Sequence, residues 1–425
     1  MNPVARPLRA ARAALLSLSI ACAAAIVAPA ATLAWKSTAT GRDVPVELLA
    51  SPRSDSAPAP LVVYLKNLAA PRLGTESDEA IVAGFRREGY QVAVFDYGKN
   101  SRARWPWINR DFAELRAAIH RRAFLADVKL DPAHIFIVPA GHRLRRDVPF
   151  ARDGARVLAM DILYPAKPAR PVGTVLEFSC DNADRMGNFS LQFCTDTLLE
   201  GAATEGFATA MADHPVPAPY KGFDAMPECA QRIKAAVRTL RAAAGEFPLD
   251  GRIVPVGFSR GSGMALMLAT TQGRAEFDSL GAHRGISSDV QGAVVLSGRF
   301  TYLDLLPQDP MIPRYVAAWG ERAAHLETWR AHGALDYLAA PTVPLFLSIN
   351  ATESPEALHQ MEVLRTRLGA LGSPFEFHPE NEPRGHRVPL APEVLDPLLI
   401  YLRARLGVAA TGPAPSSPPV RSPPP

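Results

Sequence analysis

Short β-branched and apolar runs alternate along the chain with stretches whose apolar residues recur every three or four positions. In the C-terminal two-thirds, residues 157–163 alternate like a strand at a sheet edge, and residues 172–179 form a continuous β-branched and apolar run. A helical stretch follows near residues 198–203, then an apolar run over 206–213 and a helical pattern over 228–244 that spaces Ile233, Val237 and Leu240 on one face. Residues 253–256 read as a strand running into Gly257-Phe258-Ser259-Arg260-Gly261, with helical Met264-Ala265-Leu266-Met267-Leu268 after it. Strands over 290–296 and 343–349 and a last helix over 394–406 complete the series. Strands separated by helices predict an α/β fold with a mostly parallel sheet covered on both faces.

The first third carries a similar series. Apolar runs at 61–65, 89–96 and 130–138 flank a helical stretch at 111–122. The order matches that of residues 175–179, 206–213, 228–244 and 249–256, except that Pro139-Ala140-Gly141 stands where the second series has Gly257-Phe258-Ser259. Two readings stay open: a partial repeat without a nucleophile, or the common rhythm of any two α/β units. The predicted organisation is a signal segment over 1–34, a smaller α/β module over 35–146, a larger domain over 147–406 and a Pro-rich tail over 407–425. The charged stretch 142–149, with Arg143, Arg145, Arg146 and Asp147, reads as an exposed linker between the two.

Composition narrows the function. With 48% hydrophobic and 21% charged residues the chain can build a large core. A net charge of +4, part of it on Arg6, Arg9 and Arg12, is too small to point to nucleic acid. Those arginines precede an apolar run over 13–27 and two small-residue cleavage sites, Ala28-Pro29-Ala30 and Thr32-Leu33-Ala34, the pattern of an export signal. A retained anchor and a lipid attached at Cys22 are the alternatives, the latter weakened by Ser19 where a lipobox prefers an aliphatic residue. No second apolar run reaches the ~18 residues of a membrane helix. Of the four cysteines, Cys180, Cys194 and Cys229 would remain after cleavage. Export permits a disulfide among them, with the pairing open. No cysteine spacing resembles a zinc site, and neither metal nor cofactor is expected.

The chemistry concentrates at Gly257-Phe258-Ser259-Arg260-Gly261. A serine in a tight strand-to-helix turn has strained backbone angles and close neighbours, which glycine two residues before and after accommodates. The turn lifts the Ser259 hydroxyl above the sheet at a helix N-terminus and aims the Arg260 N–H at a developing oxyanion. A serine hydroxyl needs a base, and the base needs an orienting acid. His386, in Pro383-Arg384-Gly385-His386-Arg387 between an extended segment at 374–378 and the last helix, is the predicted base, with His378 as second choice. His325 and His332 fall on helical stretches and read as surface or packing residues. Glu353, in the loop after the 343–349 strand, is the predicted acid, with Asp304 as the fallback. A histidine base predicts falling activity as pH drops through roughly 7 to 6, because free imidazole titrates near ~6.5.

From about residue 147 to residue 406 these features together resemble the α/β-hydrolase superfamily, particularly its secreted esterase and prolyl-oligopeptidase-like branches. Phe150-Ala151-Arg152-Asp153-Gly154 through Met160-Asp161-Ile162-Leu163-Tyr164-Pro165 resemble the first strands of those enzymes, and Ser259, Glu353 and His386 match the three triad positions. Where many relatives carry His-Gly-Gly, this chain has Ser179-Cys180-Asp181-Asn182. The second oxyanion N–H implied by the resemblance therefore falls to Cys180, or to Asp181 beside it. The resemblance implies a serine hydrolase acting on a small-molecule or glycan ester. A prolyl-oligopeptidase-like peptidase and a non-enzymatic envelope binding protein with a silent triad are the alternatives. Residues 298–341, with Trp319 and Trp329, are expected to supply pocket walls, as a partial cap or as plain core.

Overall fold

The structure is a computed structural model that describes residues 32–52, 58–69, 72–98, 103–178, 185, 198–213, 215, 228–339 and 341–407. Cys22, Cys180, Asp181, Cys194, the tail from residue 408 and all but the last residues of the signal segment lie outside the described residues. Two sheets organise the chain. The first has five strands in the order β1-β2-β4-β3-β5, and the second has eight, in the order β13-β12-β11-β10-β8-β9-β7-β6.

The first sheet comprises β1 (Thr32–Lys36), β2 (Asp43–Leu49), β3 (Ala59–Lys66), β4 (Gln91–Asp96) and β5 (Leu130–Pro139). Helix α1 (Asp78–Glu88) joins β3 to β4, and α2 (Trp107–His120) joins β4 to β5. Ser77 caps α1 by accepting from the Ala80 N–H, and Gly89 closes it in the left-handed region at φ 105°. The second sheet starts with β6 (His142–Asp153), β7 (Arg156–Pro165), β8 (Val172–Phe178), β9 (Ala208–Ala212) and β10 (Leu249–Phe258). It continues with β11 (Ala293–Leu296), β12 (Leu345–Ser348) and β13 (Phe375–Phe377). Helices α3 (Leu198–Thr204) and α4 (Glu228–Ala242) connect β8 to β9 and β9 to β10, and α5 (Arg260–Thr270) follows β10. Beyond it lie α6 (Ile312–Trp319), α7 (Leu326–His332), α8 (Pro355–Ala370) and α9 (Pro392–Leu406).

The two sheets share a topology. In the first, β1 pairs antiparallel with β2, β2 antiparallel with β4, and β3 parallel with both β4 and β5. In the second, β6 pairs antiparallel with β7, β7 antiparallel with β9, and β8 parallel with both β9 and β10. Strand for strand, the first sheet repeats the first five strands of the second in order and direction, with α1 and α2 in the places of α3 and α4. The repeat ends where the second copy continues into α5 and three further parallel strands.

Two sequence expectations need correction. The stretch 142–149 is not a linker: β5 ends at Pro139, Gly141 turns at φ 74°, and β6 begins at His142, so the boundary at residue 146 falls inside a strand. Its charges lie on an edge strand whose side chains alternate between partial and full exposure, a composition that local reading does not distinguish from a linker. Nor does residue 157–163 lie at the sheet edge, because β6 covers β7 on its outer side.

One cluster of buried side chains spans both sheets. Val62, Tyr64, Phe136 and Val138 of the first pack with Leu163, Val175, Leu198, Phe207 and Leu402 of the second unit. Polar ties cross the same boundary: Trp105 Nε1 donates to the Leu395 carbonyl at 2.7 Å, and Arg116 pairs with buried Glu200.

Candidate active site

Ser259 sits between β10 and α5 at φ 56° and ψ −119°, outside the regions open to most side chains. Its neighbours explain the glycines. A Cβ on Gly257 would lie 2.0 Å from the Gly261 carbonyl oxygen, and one on Gly261 would lie 2.7 Å from that of Phe178. The strained turn is held by the Ser259 N–H donating to Leu296 at 3.2 Å and by the Ser262 hydroxyl donating to the Ser259 carbonyl at 2.5 Å. Arg260 opens α5, so its N–H belongs to a first helical turn that has no intrahelical acceptors.

The structure brings Ser259, His386 and Glu353 into one hydrogen-bonded chain. The Ser259 Oγ lies 2.9 Å from His386 Nε2, and His386 Nδ1 lies 2.8 Å from Glu353 Oε2. The carboxylate only accepts, so Nδ1 carries the proton toward Glu353 and Nε2 presents its lone pair to the serine hydroxyl. The Phe258 ring packs against the imidazole at 4.6 Å between centroids.

Glu353 is buried in the loop after β12. Burial pushes its carboxyl up, but the bond from His386, the His386 charge and donors at Ser354 N and Ser297 Oγ together hold it below the ordinary glutamate value. Ser297 was not singled out from sequence. It lies just after β11 at φ 59°, and its hydroxyl donates to Glu353 Oε2 at 3.1 Å. Asn350 was also missed. Its Oδ1 accepts from Thr352 N at 3.0 Å and Gly385 N at 3.2 Å, while its Nδ2 donates to the Glu382 carbonyl at 2.7 Å. One amide thus ties the loop of Glu353 to the loop of His386. The available signal for both was position, since Ser297 follows β11, the parallel neighbour of β10, and Asn350 follows β12, the next parallel strand out.

The fallback residues lie elsewhere. Asp304 faces His359 Nε2 at 3.0 Å on the surface, and His378 pairs with Glu376 at 3.1 Å while stacking on Phe346. His332 is more than a packing residue, because it lines the cavity beside Ser259 with its ring stacked on Trp319 at 4.0 Å. That cavity, about 400 Å³, is walled by Tyr302, Met311, Tyr315 and Trp319 from the segment after β11. Trp329 is buried behind this wall, where Nε1 donates to the Gly320 carbonyl at 3.0 Å. Arg299, beside Ser259 on the cavity rim, is pinned by Asp309 at 2.8 Å. Among the described residues no group of three His, Cys, Asp or Glu side chains could hold a metal ion, and no helix is long and apolar enough to cross a membrane.

A central parallel sheet with a strained serine after its fifth strand, and a histidine and a glutamate on later loops, defines the α/β-hydrolase fold. Residues 160–317 match the BD-FAE family. A truncated carbohydrate esterase from gut microbiota superposes with a TM-score of 0.52 at 16% identity, over 62% of this chain and 96% of that one. A bifunctional GH43-CE protein of Bacteroides eggerthii superposes with a TM-score of 0.52 at 19% identity, over 62% of this chain and 38% of that one. At these identities the likeness is one of fold. No curated protein matches the sequence.

Proposed function

We propose that the protein is a serine hydrolase that cleaves carboxylic esters through an acyl-enzyme on Ser259. The observation that carries this reading is the 2.9 Å and 2.8 Å hydrogen-bonded chain from Ser259 through His386 to Glu353, opening on a cavity. The match to BD-FAE and the esterase neighbours support the ester as substrate class.

In this mechanism Ser259 Oγ attacks the ester carbonyl carbon while His386 Nε2 takes its proton. The imidazolium is stabilised by Glu353 through Nδ1–H and then gives its proton to the departing alkoxide. Water, deprotonated by the same nitrogen, attacks the acyl-enzyme and releases the carboxylic acid. The oxyanion would be met by the Arg260 N–H and a second donor from the segment after β8, where Cys180 lies outside the described residues. The wall of Tyr302, Tyr315 and Trp319 gives the substrate an apolar, aromatic surface, with the Arg299–Asp309 pair at its edge. The basic and apolar N-terminal segment supports export of the enzyme.

The test is a screen of purified protein against short-chain aryl esters, acetylated sugars and proline peptides, run beside Ser259→Ala. Ester turnover lost in the variant is the expected result. Full activity in Ser259→Ala, or cleavage of the peptides alone, would overturn the proposal.

A further inference from the structure

Two arginines line the cavity beside Ser259, and a described carboxylate answers only one of them. Arg299 is held by buried Asp309, with Nε 3.0 Å from Oδ2 and Nη2 2.8 Å from Oδ1. Arg260 lines the same cavity and is partly exposed, and among the described residues no carboxylate, carbonyl or hydroxyl engages its guanidinium. Its charge is felt by the Tyr315 hydroxyl on the aromatic wall. Burial pushes that phenol's pKa up, Tyr302 and Asp309 add to this, and the charges of Arg299 and Arg260 oppose it. The other ionised group of the lining, Glu353, does not neutralise Arg260. Its side chain is 4% exposed, Oε2 accepts from His386 and Ser297, and Oε1 accepts from the Ser354 N–H at 3.2 Å.

The place of Arg260 in the fold adds to the imbalance. It is the first residue of α5, where unpaired N–H groups give the helix its positive end. Helices α1, α8 and α9 carry Asp78, Glu356 and Glu393 in their first turns, as the dipole favours, whereas the first turn of α5 holds no acidic residue. A cation on a positive pole beside an aromatic cavity draws an anion by both charges. The oxyanion of acyl transfer forms at the backbone N–H and only transiently, so it leaves the guanidinium at the far end of the side chain without a partner.

We propose that the ester accepted by this cavity carries a free carboxylate, which pairs with the Arg260 guanidinium while the reacting carbonyl lies at Ser259. This names a substrate class for the ester hydrolase proposed above and rests on that reading. A carboxylate matches the paired N–H donors of a guanidinium, and the attraction strengthens where the aromatic wall keeps water out. A phosphate group carries close to two charges and would need a second free cation, which Arg299, tied to Asp309, does not supply. The cavity, about 400 Å³, has room for the ester and its charged end together. The carboxylate sits on the acyl or on the alcohol portion, and the test separates the two.

The experiment measures binding apart from turnover. Full-chain Ser259→Ala is titrated by calorimetry with two pairs of esters. The phenyl monoester of adipic acid against its terminal amide probes the acyl portion, and para-carboxyphenyl against para-carbamoylphenyl butyrate probes the alcohol portion. In one pair the carboxylate is expected to bind about tenfold more tightly than the amide, with the preference shrinking as salt rises. Adding Arg260→Gln should bring the two affinities of that pair within about twofold of each other, whereas Arg260→Lys should keep part of the preference. If Arg260→Gln does not fold, Arg260→Lys decides, because its point-like charge should lower the preference about threefold, and an unchanged preference overturns the proposal. Equal binding of carboxylate and amide in both pairs, or a preference that survives Arg260→Gln, overturns it as well. Turnover of the two uncharged amide esters by the protein with Ser259 intact tests the hydrolase reading separately. Its absence would end that reading, while the affinity ratio in Ser259→Ala still decides the role of Arg260.

Discussion

Ser297 donates its hydroxyl to Oε2 of Glu353, the same oxygen that accepts from the His386 imidazole. Two donors on one carboxylate oxygen fix both the rotamer of the acid and its ionised state, because each bond favours the charge. Ser297 makes this bond from a left-handed backbone at φ 59°, and its own N–H is tied to the Ser348 carbonyl at 3.0 Å. Hydrogen bonds to charged groups contribute about 1.5–3 kcal/mol, and only part of this is expressed in the transition state. Ser297→Ala is therefore expected to lower kcat on the order of tenfold with KM nearly unchanged. An unaltered kcat in steady-state kinetics would show that the bond is incidental to turnover.

Glu353 itself is expected to matter far more. Glu353→Gln places an amide against Nδ1, favours the wrong tautomer and should lower kcat by a factor on the order of 10³ or more. Asp304→Asn should leave the rate within about twofold, because Asp304 faces His359 on the surface. The same kinetic assay on the two variants checks both. A silent Glu353→Gln beside a crippled Asp304→Asn would reverse the assignment.

The strained turn at Ser259 was legible because its geometry constrains residue type locally: only glycine fits at 257 and 261, and chain order then points to loops after later strands for the acid and base. Ser297 and Asn350 left no comparable mark, since small polar residues at strand ends are common and their role arises only when parallel strands bring the loops together. The same limit hid the status of β6, whose alternating arginines read as solvated loop until β7 supplies its partner. It also left the shared topology of the two sheets open, because pairing order is a non-local property that hydrophobic rhythm does not encode.

His142 should make the protein acid-sensitive. Its pKa falls from 6.5 when free to about 4 in the folded protein, where burial disfavours the charged ring. The unfolded chain thus binds the extra proton first, so stability attributable to this group is complete above about pH 6.5 and is lost as pH falls toward 4. The shift corresponds to about 3 kcal/mol at the bottom of that window. His142→Phe, which has no proton to bind, should flatten the decline of the melting temperature between pH 6.5 and 4. Parallel curves for the two proteins would place the acid sensitivity in other groups.

The shared core between the sheets bears on whether the second can stand alone. Val62, Tyr64, Phe136 and Val138 of the first sheet and Leu163, Val175, Leu198 and Phe207 of the second unit are all buried in one cluster. A chain beginning at Arg145 loses the first four and also the first three residues of β6. The partners left behind would face water. At ~25 cal/mol per Å² of apolar surface, uncovering about 400 Å² costs on the order of 10 kcal/mol, comparable with the whole 5–15 kcal/mol stability of a typical domain. The broken tie from Trp105 to the Leu395 carbonyl and the loss of Arg116 from buried Glu200 add to this, the latter by leaving a charge inside without its partner. The truncated chain is therefore expected to aggregate or to bind hydrophobic dyes, and to label poorly with a fluorophosphonate at Ser259. Size-exclusion chromatography and probe labelling beside the full chain decide the matter. A soluble truncation with full ester turnover would mean that the second sheet folds without its cover, and that the first sheet is an accessory attached to a self-sufficient hydrolase.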